Sequence, residues 1–169
     1  ERFMCAHAIM FALEGIPGLY IHILLGTTND YERFENSQHN RAINRHRWQE
    51  SKLLSALGDK YSHHHKVFNG IKHLLGIRKK QSAFHPNATQ FTLHLAGGLF
   101  GFWRQSIDRR QSIFCVYNIS DKPQVLTLAD LNLINTQQWF DLVANETITE
   151  DQLTIELEPY QSVWLSNIK

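Results

Sequence analysis

A long polar segment holds most of the side chains in this sequence that could bind a small molecule. Residues 26–48 are polar, charged and aromatic without a break, and a loop of that length in a compact region is usually functional. Phe34, Ile43 and Trp48 within it indicate that the segment is ordered. It follows an apolar run typical of a parallel strand, and α/β barrels build their active sites at the C-terminal ends of such strands. We therefore predict that this segment forms part of a site.

Other residues whose side chains could bind a metal or catalyse a reaction have simpler interpretations. The consecutive histidines at 63–65 occupy a predicted helix, where their side chains point in three directions and cannot converge on one metal ion. Asp30, Glu32 and Glu35 lie in one loop with no scaffold to fix their separation, so we interpret them as solvated charges. We expect no metal site, no cofactor and no catalytic carboxylate pair within the chain.

The segment before the polar loop has the pattern of one αβ unit. Residues 1–14 have apolar side chains at helical spacing, and Gly15 and Pro17 supply a stop. Residues 19–25 are almost continuously apolar, which is typical of a strand buried on both faces of a parallel sheet. A lone parallel strand leaves its backbone groups unpaired. We therefore expect this chain to be a fragment that needs partner strands from upstream.

The rest of the chain changes from helical to strand patterning. Helices are predicted at 50–57 and from Ser62, as the capping residue, to about 81. After Pro86 seven or so short strands follow at regular spacing, with a turn at residues 97–98. Trp103, Trp139 and Trp164 are predicted to fill the core between two sheets. The sequence thus predicts an α+β chain with a boundary near residue 82 and an antiparallel β-sandwich over 83–169.

Composition excludes several classes of protein. Lys and Arg total 17 against 16 for Asp and Glu, a balance that argues against a dedicated nucleic-acid or membrane-surface binder. No apolar run reaches the roughly 18 residues of a membrane span. Cys5 and Cys115 both lie in apolar runs, so we expect two buried, reduced thiols in a cytoplasmic protein.

Four segments resemble one family of enzymes. They are residues 15–20 (GIPGLY), residues 24–31 (LLGTTNDY) with 40–45 (NRAINR), residues 76–86 (GIRKKQSAFHP) and residues 157–165 (LEPYQSVWL). Together they are similar to the branch of the α-amylase superfamily that contains sucrose phosphorylase and glucosylglycerate phosphorylase. The resemblance implies that residues 1–82 are the C-terminal end of a (β/α)8 barrel, with its last βα segment, active-site loop and closing helices. Residues 83–169 would be the β-sandwich that follows the barrel.

The resemblance also implies a reaction. Enzymes of this branch are retaining transglucosylases, in which a carboxylate attacks the anomeric carbon, a protonated acid assists the leaving group, and phosphate intercepts the glucosyl-enzyme. Two carboxyl groups about 5 Å apart are required, and the family motifs that carry them are absent from this sequence. No catalytic residue is therefore carried over, and we expect the chain by itself to be inactive.

Five residues of the polar loop are carried over as substrate-binding candidates: Arg41, Arg45, Asn44, Asn29 and Asp30. Arg41 matches the family arginine that reaches the glucosyl subsite and pairs with a carboxylate from the first barrel strand, because a guanidinium fork can hold a carboxylate and still donate to sugar hydroxyls. A structural salt bridge is the alternative for Arg41, and a structural role is favoured for Arg45. Asn29 and Asp30 are expected to shape the loop.

The resemblance implies an α-glucoside such as sucrose and phosphate as partners of the whole enzyme, together with the rest of the barrel; a homodimer is left open. Two alternatives stay open as well. The chain could be an independent carbohydrate-binding or interaction module, or the whole enzyme could hydrolyse α-glucosides. Sugar affinity of the isolated chain distinguishes the first alternative, and phosphate dependence distinguishes the second.

Overall fold

The computed structural model describes residues 1–131, 138–149 and 151–169. Within them the chain forms five α-helices and eight β-strands, and it divides into two compact units. One unit comprises residues 1–17 and 74–169, and the other comprises residues 18–73. The helices are α1 (Arg2–Ala12), α2 (Ile21–Leu24), α3 (Tyr31–Ser37), α4 (Glu50–Gly58) and α5 (His63–Arg78). The strands are β1 (Thr89–Thr92), β2 (Leu99–Gln105), β3 (Ser112–Asn118), β4 (Gln124–Thr127), β5 (Trp139–Asp141), β6 (Glu146–Ile148), β7 (Thr154–Leu157) and β8 (Ser162–Ser166).

All strand pairs described in the larger unit are antiparallel. Six strands form one sheet in the order β1-β2-β3-β8-β5-β6, and β4 pairs with β7 in a second sheet. An apolar cluster with members on both sheets includes Phe114, Leu126, Leu157 and Val163. The α+β class and the antiparallel pairing predicted from the alternating pattern are therefore confirmed.

Strand β3 is buried on both faces because helix α1 covers the side opposite the second sheet. Phe114 and Val116 point into the cluster between the sheets, so the alternate residues Cys115 and Tyr117 face the other way. The hydroxyl of Tyr117 donates to the carbonyl of Ala8 in α1 at 3.3 Å. Both cysteines are free and buried, as the sequence predicted.

The three tryptophans predicted for the core differ in their environment. Trp164 is completely buried, but on the face of the large sheet that carries Cys115 and Tyr117, so its predicted place in the core between the sheets is wrong. Its indole Nε1–H donates to the Tyr117 hydroxyl at 3.0 Å. Trp139 is also buried and belongs to the cluster between the sheets. Trp103 is only partly buried and packs against that cluster between Phe91 and Phe114, with ring centroids 5.1 and 5.9 Å away.

The run at residues 19–25 was predicted to be a buried parallel strand, and this prediction is wrong. The structure has the short helix α2 at Ile21–Leu24, and none of its residues is buried. A strand needs a neighbour to bond its backbone, and the unit that contains this run has no strand. Helical hydrogen bonds satisfy the backbone locally instead, from the N–H of Leu24 to Tyr20 O at 3.2 Å and from the N–H of Leu25 to Ile21 O at 3.1 Å.

The other predicted helices are confirmed. Helix α1 ends at Ala12 and α4 ends at Gly58, close to the predicted limits. Ser62 caps α5 as predicted, because its hydroxyl oxygen accepts the backbone N–H of His65 at 3.0 Å. No helix in the described ranges is long and apolar enough to cross a membrane.

The buried carboxyl of Asp141 allows a test of what stabilises the larger unit. Its Oδ1 atom accepts the backbone N–H of Val143 at 2.9 Å and that of Trp164 at 3.1 Å. Burial raises the pKa of Asp141, and these hydrogen bonds offset only part of that rise. Because the folded pKa lies above the unfolded one, the carboxyl's contribution to stability falls as pH rises through the folded pKa.

We expect Asp141→Asn to be more stable than the native protein at neutral pH, because the amide keeps the accepting oxygen without a buried charge. The gain should shrink as pH approaches the ordinary carboxyl range near about 4. Asp141→Ala should lose about 2 kcal/mol, because the buried N–H of Trp164 and the partly buried N–H of Val143 lose this acceptor. Urea unfolding at pH 7 and pH 5 measures both effects. An asparagine variant less stable than the native protein at pH 7 would contradict this account.

Candidate functional site

The polar loop predicted from sequence is an ordered structure built around Asp30. This residue caps α3: its Oδ1 accepts the backbone N–H of Arg33 at 3.0 Å. Its own N–H donates to the carbonyl of Ile43 at 2.7 Å, which ties the start of the loop to its return. The segment 26–48 thus holds a seven-residue helix that sequence analysis did not place.

The second oxygen of Asp30 pairs with His46. The Oδ2–Nδ1 distance is 2.7 Å. The backbone N–H of Arg33, and then His46, hold the pKa of Asp30 below its usual range. The His46 ring meets Trp48 edge to face at 4.9 Å, and the Trp48 Nε1–H donates to Thr27 Oγ1 at 3.0 Å. Asp30 therefore shapes the loop, and its interpretation as a solvated charge without a scaffold is wrong, because it caps α3 and pairs with His46.

This arrangement predicts how Asp30→Ala behaves. Loss of the cap should destabilise α3 and speed hydrogen exchange of the Arg33 amide at neutral pH. Because the pKa of Asp30 is depressed, its contribution is present above the unfolded pKa and lost as pH falls through the folded one. Exchange rates of variant and native protein should therefore converge in acid.

Asp30→Asn is the matched control, because asparagine is also a good cap but lacks the charge that pairs with His46. The asparagine variant should keep most of the protection of the Arg33 amide against exchange. This protection should no longer change with pH through ionisation of residue 30. Equal exchange rates for the alanine variant and the native protein at neutral pH would contradict a capping role.

The return of the loop places two arginines on an open depression of about 560 Å³. A 3-10 turn at Asn40–Ala42 buries Ala42 and leaves Arg41 exposed. Arg41 and Arg45 both line the depression. The guanidinium of Arg33 donates to the backbone carbonyl of Arg45, which holds its side chain along the wall. The complete lining is Arg33, Ser37, Gln38, His39, Asn40, Arg41, Ala42 and Arg45.

The five predicted site residues are not brought to one place. Asn29 and Asp30 line a separate depression of about 410 Å³, together with Trp48 and His64. Asn44 lines neither depression, and its backbone carbonyl accepts from the Tyr20 hydroxyl at 3.3 Å. The candidates therefore fall into two pairs, Asn29 with Asp30 and Arg41 with Arg45, with Asn44 apart from both.

The side chain of Arg41 is not held by a described ion pair or hydrogen bond. Among the residues that the structure describes, neither Arg41 nor Arg45 forms a salt bridge. The guanidinium of Arg41 also has no described hydrogen bond that would hold it in a structural role. Two ionisable lining residues, Arg33 and His39, were not among the sequence candidates. The excess of arginine over acid in 33–47 indicates a cationic segment, but it does not tell which of its side chains line the depression.

The three consecutive histidines bond to three different carbonyls. His63 Nε2 lies 3.1 Å from Gly26 O, His64 Nδ1 lies 2.7 Å from Leu25 O, and His65 Nδ1 lies 2.7 Å from Leu57 O. Their rings therefore fasten the start of α5 to the chain around it.

Comparison with curated proteins finds glucosylglycerate phosphorylases. The chain is 37% identical to one from Allomeiothermus silvanus over 97% of its length, and 31% identical to one from Spirochaeta thermophila over 98%. It is 28% identical to one from Escherichia coli over 97%. The chain spans only 26–30% of the length of these relatives. No protein-family model matches the chain.

Solved structures of similar fold come from the α-amylase family. An α-amylase from Geobacillus thermoleovorans gives a TM-score of 0.69 at 13% identity, covering 97% of this chain and 32% of that one. A maltogenic amylase from S. marinus gives 0.68 at 15% identity, covering 99% and 19%. A cyclic maltosyl-maltose hydrolase from Arthrobacter globiformis gives 0.65 at 15%, covering 98% and 30%. The resemblance to the phosphorylase branch of the α-amylase superfamily is confirmed.

Proposed function

We propose that this chain is the C-terminal part of a retaining glucoside phosphorylase, which transfers a glucosyl group from an α-glucoside to phosphate. The observation that carries this proposal is the 37% identity to a glucosylglycerate phosphorylase over 97% of the chain. Glucosylglycerate or a related α-glucoside such as sucrose is the proposed donor. Phosphate is the co-substrate, and no other cofactor is proposed.

Residues 1–82 are proposed to complete the catalytic barrel, and residues 83–169 to form a β-sandwich domain after it. The two antiparallel sheets between residues 89 and 166 support the second assignment. The likeness to the glucosylglycerate phosphorylase from Allomeiothermus silvanus over 97% of the chain supports the first.

The proposed reaction has two displacements at the anomeric carbon. An enzyme carboxylate forms a bond to this carbon while the bond to the leaving oxygen breaks, and an acid group gives that oxygen its proton. A phosphate oxygen then displaces the carboxylate and yields α-glucose 1-phosphate, with retained configuration. The lining of the arginine depression contains no carboxylate, so we assign the nucleophile and the acid to the part of the enzyme outside this chain.

Arg41 is the residue of this chain proposed to reach the glucosyl subsite. Its side chain is exposed beside Arg45. A fixed guanidinium can hold a carboxylate from another barrel strand and donate to sugar hydroxyls with its remaining N–H groups. Asn29, Asp30 and Asn44 are proposed to support the loop that carries it.

The location and partners of the enzyme are part of the same proposal. Two free, buried cysteines fit a reducing cytoplasm. The partners are the donor glucoside, phosphate and the rest of the barrel, with a homodimer as the proposed arrangement to be checked by sedimentation.

The test is an assay of α-glucose 1-phosphate release from glucosylglycerate, sucrose and sucrose 6-phosphate, with and without phosphate. The full-length enzyme and the chain of residues 1–169 should be run side by side. Release by the full-length enzyme alone, dependent on phosphate, is the expected result, and it identifies the donor.

Other outcomes contradict the proposal in different ways. Glucose release without phosphate would make the enzyme a hydrolase. Activity of the chain by itself would mean that it contains the catalytic carboxylates. Sugar binding by the chain with no activity in the full-length protein would favour a binding module.

A further inference from the structure

The depression between α3 and the loop return is strongly cationic. Its lining includes three arginines, Arg33, Arg41 and Arg45, with His39 at the rim and no aspartate or glutamate. None of the three arginines forms a salt bridge within the described residues. The carboxylate of Asp30 interacts with the charge of Arg33, but no carboxylate lines the concavity itself, so the guanidinium groups produce a net positive potential there, which concentrates anions.

The geometry favours recognition of an oxyanion over diffuse attraction. Arg33 is anchored through its bond to the carbonyl of Arg45, which limits the freedom of this guanidinium before a ligand arrives. Its remaining N–H groups form a planar fork that matches the oxygens of a carboxylate or phosphate. The volume of about 560 Å³ lies within the usual range for small-molecule sites.

We propose that this pocket, lined by Arg33, His39, Arg41 and Arg45, binds the oxyanion group of a substrate. The proposal deepens the proposed function, on which it rests for its candidate ligands. Phosphorolysis of glucosylglycerate involves two oxyanions, inorganic phosphate and the carboxylate of glycerate. If Arg41 pairs with a carboxylate from elsewhere in the barrel, Arg33 and Arg45 still leave two positive charges for the ligand.

Arg33 and His39 are therefore assigned as binding residues for the anionic group, next to the glucosyl contact assigned to Arg41. Glycerol and glycerate differ by one carboxylate, so their comparison isolates the charge of the acceptor. Inorganic phosphate tests the other source of an oxyanion.

The experiment is calorimetric titration of the full-length protein with phosphate, glycerate and glycerol in separate runs. The test variants are Arg33→Gln and Ser37→Asp. The second places a carboxylate in the lining without removing the bond between Arg33 and the Arg45 carbonyl, and Asp can still accept the His39 N–H that Ser37 accepts at 3.3 Å. Ser37→Asn is the neutral comparator for Ser37→Asp, and Arg47→Gln, outside the lining, is the arginine control.

We expect Arg33→Gln and Ser37→Asp to weaken binding of one of the two anions by about tenfold or more. Ser37→Asp should bind that anion more weakly than Ser37→Asn does. The affinity for glycerol in every variant, and the affinities of Arg47→Gln for both anions, should stay at native values. A loss for glycerate assigns the pocket to the acceptor, and a loss for phosphate assigns it to the co-substrate. An adequate fold for each variant is verified by circular dichroism.

Unchanged affinities for both anions in Arg33→Gln and Ser37→Asp would overturn the proposal. Equal losses in Ser37→Asp and Ser37→Asn would also do so, because charge would then play no part. Binding is read without catalysis, so the result is separate from the proposed function. Anion binding in a protein that fails the phosphorolysis assay would contradict that function and support the pocket.

Discussion

Replacing Arg41 by alanine is expected to lower phosphorolysis by about two to three orders of magnitude, the range measured when one preorganised charge-stabilising donor is removed from an active site. The side chain is exposed and without a salt bridge in the described part of the chain, so little of the fold depends on it. The melting temperature should therefore stay within about a degree or two of the native value, as is usual for surface substitutions.

The assay is steady-state release of α-glucose 1-phosphate by the full-length enzyme, with unfolding followed on the same preparations. Arg41→Lys is informative because it keeps the charge and loses the fork, so it should recover only part of the activity. Arg47→Ala, in the same segment but outside the lining, is the matched control. A large loss of stability with normal turnover per folded molecule would instead identify Arg41 as a structural residue.

The second large effect is expected at a buried cation in the other compact unit. Arg104 lies on β2 and is completely buried. Its guanidinium donates to the carbonyls of Ala12 at 2.8 Å, His85 at 2.9 Å and Ala88 at 3.3 Å. Burial lowers the pKa of Arg104, because the charged guanidinium is removed from water. Its hydrogen-bond acceptors are neutral carbonyl oxygens and not a carboxylate. The negative end of the α1 dipole supplies part of the compensation.

A second arginine contacts the same helix end. Arg78, at the end of α5, donates to the carbonyls of Phe11 and Gly15, the latter at 2.9 Å. Both guanidinium groups lie over the ring of Phe84, at 5.6 Å for Arg78 and 6.0 Å for Arg104. The two arginines therefore satisfy two of the carbonyl groups that α1 leaves unpaired at its C-terminus, those of Phe11 and Ala12.

We expect Arg104→Met to lower the free energy of unfolding by about 3 kcal/mol, because three backbone carbonyls lose a donor in a buried place. Relief from the buried charge works in the opposite direction and keeps the loss from being larger. Urea unfolding of the full-length protein measures it. If the methionine variant does not fold, Arg104→Lys retains the charge and part of the bonding and should show a smaller loss.

Arg110→Met is the control for this prediction. Its side chain is 85% exposed and lies 3.8 Å from Asp108, an exposed pair that contributes little to stability. A methionine variant at 104 as stable as the native protein would show that the cost of burying the charge matches everything its hydrogen bonds contribute. If Arg78 and Arg104 are both replaced, the two losses in the free energy of unfolding should not add, because both side chains bond to the same end of α1.

Local patterns in the sequence were sufficient for most elements. The capping by Ser62, the limits of α4 and the alternating strands after Pro86 depend on neighbours a few residues apart, and they were predicted well. Residues 19–25 were predicted wrongly for a related reason. Apolar composition specifies that a segment is to be buried, but pairing with other strands decides whether it is extended.

The candidate site shows the same division. The arginines at 41 and 45 could be chosen from the sequence, by a resemblance in a short motif. Arg33 could not, because its place in the pocket depends on α3, whose start is set by the cap at Asp30 and whose end bends the chain back.

The sequence by itself determined the α+β class, the helices α1, α4 and α5, the strand-rich second half and the resemblance to glucoside phosphorylases. Only the tertiary structure decided that Arg104 is buried, that Asp30 is a cap and that three arginines share one pocket. Helices and strands follow from side-chain periodicity along the chain. The environment of a charge depends on groups remote in sequence, such as the carbonyl of Ala12 that lies 2.8 Å from the guanidinium of Arg104.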